Sequence, residues 1–63
     1  MTLEQALEKV NRNKYHWLGV DGNGDIFGYE REPSLGDGVW TAEGKMGYVG
    51  ATDEVKKARK IKL

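Results

Sequence analysis

Few residues in this chain have the types and spacing that catalytic chemistry demands. His16 is the only histidine and Ser34 the only serine, and cysteine is absent. A hydroxyl nucleophile needs a base within hydrogen-bond reach and a third group to orient that base. Nothing in the sequence brings such a set together. Without cysteine there is no thiolate nucleophile, no thiolate metal site and no disulfide. The ten carboxylates show no spacing that specifies an acid/base pair. A metal held by His16 would have to rest on carboxylates, a weak donor set for zinc. These residues point away from an enzyme and imply neither a metal nor a cofactor.

Two loop patterns come closer to a ligand site. With Asp21 taken as the first position of a calcium loop, Asn23, Asp25 and Glu32 occupy the third, fifth and twelfth, where an EF-hand places oxygen ligands. The sixth position must turn sharply and is Ile26, the eighth is Gly28, and Pro33 blocks the helix that should follow. A hairpin turn accounts for Asp21–Asp25 without an ion. Gly22, Gly24 and Gly28 come within one residue of the dinucleotide fingerprint, but they lead into a strand, whereas the fingerprint opens a helix.

Two other features suit binding. The formal net charge is zero, yet residues 1–55 hold ten acids against five bases, while Lys56, Lys57, Arg59, Lys60 and Lys62 crowd the last eight positions. Such a segment can neutralise phosphates and bind nucleic acid in a salt-dependent way; it can equally be a solvated tail on an acidic body. The second feature is aromatic. Tyr15, Trp17, Trp40 and Tyr48 fall in segments that read as sheet, and Tyr and Trp are enriched at binding hot spots. They are the candidate contacts for a protein partner, and oversized core filler is the competing role.

These side chains need elements to position them. Thr2 and Gln5 match a capping box, and Leu3, Ala6, Leu7 and Val10 make one apolar stripe, so a helix is expected over Leu3–Arg12. Tyr15–Val20 and Ile26–Glu30 then read as a hairpin about Asn23-Gly24, the strongest short-range hairpin signal. A two-residue turn there sets Val20 opposite Phe27 and Leu18 opposite Tyr29, all four on the helix side with Leu3, Leu7 and Val10. Tyr15, Trp17 and Ile26 are then left on the far face. A three-residue Gly22-Asn23-Gly24 loop shifts the register by one and exchanges the faces. Pro33 ends the second strand, Ser34–Gly38 reads as a loop, Val39–Ala42 as a third strand and Met46–Val49 as a short fourth. After Thr52, a good N-cap, the basic segment fits a helix through Val55, Ala58 and Ile61, or a strand at its end.

The expected fold class is α+β: one domain over residues 1–63, with the N-terminal helix packed on a three- to four-stranded antiparallel sheet and a basic C-terminal helix or strand. A domain of this size buries only about 60% of its unfolded surface, which leaves little chain to build a deep cleft. The start shows no signal-peptide pattern, no apolar run approaches a membrane span, and the lack of cysteine fits a reducing cytoplasm. One short helix shields only one sheet face, so either the segment after Thr52 or a second copy in a homodimer is expected to cover the other.

The run Trp17-Leu18-Gly19-Val20-Asp21, then Asn23-Gly24, Ile26-Phe27-Gly28-Tyr29, Pro33, Trp40 and Gly47-Tyr48-Val49-Gly50, resembles a pattern found in very small bacteriophage-encoded proteins. The likeness spans Tyr15–Gly50. It implies an accessory protein, active in the host cytoplasm, that binds a host or phage macromolecule and modulates or inhibits a host protein, including a defence protein. No catalytic residue comes with it.

Overall fold

The computed structural model describes residues 1–54 and 57–63. Helix α1 (Leu3–Lys9) starts where the capping box sets it: Thr2 Oγ1 accepts from the Gln5 N–H, and the Gln5 side chain accepts from the Thr2 N–H. It ends three residues before Arg12, because Val10 turns to an extended conformation (φ −64°, ψ 138°). The chain then doubles back through Asn11, whose carbonyl accepts from the N–H of both Lys14 and Tyr15.

Among the described residues six strands follow: β1 (Trp17–Val20), β2 (Asp25–Tyr29), β3 (Ser34–Gly36), β4 (Val39–Thr41), β5 (Met46–Ala51) and β6 (Arg59–Lys62). Four form an antiparallel sheet in the order β5-β2-β1-β6, and β3 and β4 form a separate two-stranded ribbon. The architecture is the expected α+β one, a short N-terminal helix with a four-stranded antiparallel sheet. Two other expectations are corrected. Ser34–Gly38 is not a plain loop, because Asp37 and Gly38 both take positive φ (51° and 79°) and close a tight hairpin between β3 and β4. Of the two readings of the basic segment, helix or strand, the helix gives way to the strand, β6, from Arg59, while Val55 and Lys56 lie outside the described residues.

The register of the first hairpin is the three-residue alternative. Trp17 lies opposite Tyr29, Leu18 opposite Gly28, Gly19 opposite Phe27 and Val20 opposite Ile26. A two-residue type I′ turn would need positive φ at Asn23 as well as Gly24. Only Gly24 has it (φ 96°). Gly24 N–H closes on the Asp21 carbonyl, the Asn23 side chain accepts from Asp25 N–H, and Asp21 N–H meets the Asp25 carbonyl.

That one-residue shift turns β2 over while β1 keeps its faces. The core beneath α1 is built from Ala6, Val10, Tyr15, Leu18, Val20, Ile26 and Val49, with Leu3, Leu7, Ile61 and Leu63 packed at its margin. Ile26, expected on the far side, is therefore a core residue, and Phe27 and Tyr29, expected on the helix side, lie on the other face. Tyr15, also expected on the far side, precedes β1 in the turn held by the Asn11 carbonyl and is a core residue as well. Tyr15 fits because Gly28 leaves a pit in the sheet: a Cβ there would meet the Tyr15 ring at 2.8 Å. A bulge in β5 inserts Val49 between the pairs Phe27–Tyr48 and Ile26–Gly50, which turns Val49 inward and leaves Tyr48 facing out. Leu18 is fully buried at the centre of this layer. Leu18→Ala should therefore cost ~2–5 kcal/mol, and the half-buried Leu7→Ala distinctly less, measured as shifts in the urea unfolding midpoint.

Candidate functional site

The face opposite α1 follows from the register. Two rows of side chains cross it: Lys60, Gly19, Phe27 and Tyr48 in one, and Lys62, Trp17, Tyr29 and Met46 in the other. The β3–β4 ribbon folds over its middle, and Trp40 is the plug. Gly19 makes room for it, since a Cβ at that position would lie 3.1 Å from the Trp40 ring and 2.7 Å from Tyr29. Trp40 Nε1 donates to the Val20 carbonyl (2.9 Å), Trp40 N–H donates to Asp21 Oδ1 (3.0 Å), and the Tyr29 hydroxyl donates to the Trp40 carbonyl (3.2 Å). Gly22 N–H to the Gly38 carbonyl (2.9 Å) ties down the ribbon's turn.

The electrostatics of the plug are local. Tyr29 is fully buried. Burial, and then the neighbouring Asp21 carboxylate, push its phenol up to about 12. At the plug's rim the Lys60 ammonium stands 5.7 Å from the Trp17 ring and 5.8 Å from the Trp40 ring, and pairs with Glu32 at 2.8 Å. Both partners of that pair are solvent-accessible, so its contribution is ~0–1 kcal/mol.

Beyond the plug the face is open towards β5. Tyr29, Phe27 and Tyr48 form a ladder of rings, with centroids 6.4 Å and then 5.4 Å apart. It runs from a buried ring through a half-buried one to Tyr48, which is 63% exposed. Met46 is exposed beside them on the same face. Behind β5, on the helix side, a mainly apolar cleft of about 200 Å³ runs between Lys9, Val10 and Asn11 and Tyr15, Tyr48 and Val49.

The four aromatic candidates therefore divide. Tyr15 and Trp40 are interior, spent on α1 packing and on the plug; Trp17 is half-buried under Lys60; Tyr48 alone stands clear. Phe27 and Met46 join Tyr48 on the open face and were missed by sequence reasoning, because the favoured register turned Phe27 inward. Their signal was the alternative three-residue loop.

The basic candidates divide as well. Lys60 and Lys62 share the plugged face, Arg59 lies on the helix side opposite Val20, and Lys57 is exposed before the strand. Lys56 lies outside the described residues. The residues considered for catalysis share no hydrogen bond among the described residues, and the side-chain oxygens considered for calcium are engaged by donors of the protein itself. His16 Nδ1 donates to the Glu30 carbonyl, whereas Ser34 lines a polar depression of about 540 Å³ with Arg31, Glu32, Thr41, Ala42 and Glu43. Asp21 Oδ1 accepts from Trp40 and Asp25 Oδ2 from Asn23. No cluster of three or more metal-ligating side chains occurs among the described residues, and no helix is long and apolar enough to cross a membrane.

No protein-family model, curated protein or solved structure matches this chain.

Two measurements check the plug. Trp40→Ala should cost ~3–5 kcal/mol, as truncation of a buried aromatic does. In an ultraviolet pH titration Tyr29 should ionise near 12. An unfolded tyrosine ionises at ~10, so between those values the unfolded state has released a proton that the folded state retains. Tyr29's contribution is thus complete below about pH 10 and is lost as pH rises towards 12. Ionisation of Tyr29 at the ~10 of an unfolded tyrosine would contradict this packing.

Proposed function

We propose that this chain is a non-enzymatic binding module that grips a protein partner through Tyr48, Phe27 and Met46. The observation that carries this reading is Tyr48, 63% exposed in mid-strand and braced edge-on by Phe27 at 5.4 Å. A ring held by a second ring loses little freedom on binding, and Tyr is among the residues that dominate interface energies. Trp17 flanks the plug at the far end of the face and adds a secondary contact. Following the resemblance to small phage-encoded proteins, the partner is a host or phage protein in the cytoplasm, bound so as to modulate or inhibit it. A second copy of the chain seated on Tyr48 would give a homodimer through the same surface.

Nucleic acid is the second reading, favoured by Lys62 on the outermost strand, the ladder partner of Trp17, an arrangement that sets a cation on the same face as a stacking surface. It is the weaker one. The cations lie on both faces, Lys60 is already paired with Glu32, and the rest of the chain is acidic.

With the protein as bait in a host lysate, Tyr48→Ser should abolish capture of the partner while leaving the circular dichroism unchanged, and Lys62→Gln should leave capture intact. The reverse pattern, with log affinity for DNA falling against log salt by about 0.9 per neutralised phosphate, would replace the first reading with the second. Light scattering of wild type and Tyr48→Ser over a concentration range reads out the homodimer.

A further inference from the structure

The sheet has two edges, and they are finished differently. On β5 two carbonyls are taken: Lys9 Nζ donates to Val49 O and the Met1 amino group to Ala51 O. On β6 the pairing runs only inward. Leu63 N–H donates to His16 O, and with Leu18 opposite Ile61 and Val20 opposite Arg59 the alternation of an antiparallel ladder turns residues 59, 61 and 63 towards β1. The N–H and C=O groups of Lys60 and Lys62 therefore point away from the sheet. Among the described residues nothing pairs with them.

We infer that β6 is a docking edge that takes an extended acidic segment of a partner protein as a fifth, antiparallel strand. Main-chain hydrogen bonds would supply affinity and the side chains of β6 the selection, as in other strand-addition complexes. The charges on the strand define the occupant. Lys62 and Lys60 stand on the plugged face, Arg59 on the helix side, and Ile61 lies between them, half-buried against the core. The chain carries no acid from Lys57 to Leu63. An incoming strand read antiparallel to β6 thus meets, in order, a cation on one face, an apolar residue on the other, Lys60 already neutralised by Glu32, and a second cation. Its complement is acidic, apolar, polar, acidic.

The same geometry disfavours a second copy of this chain. A twofold β6–β6 pair centred on Ile61 would set Lys60 directly opposite Lys62 twice, and like charges directly opposite destabilise a ladder. Lysines on an edge strand also discourage unwanted pairing, which is the bare alternative: an edge that repels everything.

The inference is independent of the Tyr48 surface and is tested separately. The intact, nitrogen-15-labelled protein is titrated with the capped peptide Thr-Glu-Val-Thr-Glu-Thr while amide shifts and hydrogen exchange are followed. Protection of the Lys60 and Lys62 amides, with affinity that falls as salt rises, is expected. Lys62→Pro removes an outward N–H without touching the β1 ladder and should weaken binding about tenfold; Arg59→Gln should flatten the salt dependence, and Tyr48→Ser should change neither. Should Lys62→Pro fail to fold, Arg59→Gln with Lys62→Gln still reads the charge requirement. Equal binding of the peptide with lysine in place of glutamate would overturn the proposal, as would unprotected Lys60 and Lys62 amides at millimolar peptide. Tighter binding of oligothymidylate than of the peptide, without amide protection, would overturn it in favour of nucleic acid.

Discussion

Trp40 is held from three directions by groups that belong to the first hairpin: the Val20 carbonyl, the Asp21 carboxylate and the Tyr29 hydroxyl. Each of those groups is buried and would be costly to leave unpaired. The indole also fills the space that Gly19 vacates. One side chain thus solves two problems of a short chain at once. It covers part of a sheet face that α1 cannot reach, and it fastens a three-residue-stranded ribbon that could not persist alone. Pro33, fully buried in the connection from β2 to β3, helps fix the ribbon's approach.

Because the plug covers the β1 side of the face, the aromatic surface left over is displaced towards β5. The ladder Tyr29–Phe27–Tyr48 is continuous with the plug's interior, so Tyr48 is exposed but not loosely held. Its orientation depends on the β5 bulge, which puts Val49 into the core and Tyr48 out of it. A binding surface on so small a domain need not be a cleft. It can be the end of a packed layer that the chain is too short to finish.

Much of the architecture was legible in the residues. Thr2 and Gln5 state where α1 begins, and aromatic and β-branched runs between turn residues mark four of the six strands among the described residues. What was not legible turns on two turns. Asn23-Gly24 carries the signal for a two-residue turn, yet Asn23 keeps negative φ and the loop takes three residues, which moves every β2 side chain to the other face while those of β1 stay where they were expected. Both registers put a plausible set of apolar residues inward, so periodicity could not choose between them. The choice came from outside the hairpin, from the rings of Tyr15 and Trp40, which need glycines on opposite faces to lie against. The Asp37-Gly38 hairpin was overlooked for a different reason: its strands are three residues each and only Trp40 is buried, so no alternation stands out around the Asp-Gly signal.

β6 also has a place in the order of assembly. The hairpins β1–β2 and β3–β4 close over a few residues, whereas pairing β6 with β1 brings Arg59 against Val20 from far along the chain. Closing that loop costs more entropy than any hairpin turn, and its gain arrives only when the rest of the sheet is in place. The β1–β6 ladder is therefore expected to form last and to open first under native conditions, well below the cost of global unfolding. Each opening would bare the β1 backbone between Trp17 and Val20, a second strand edge that the closed fold conceals.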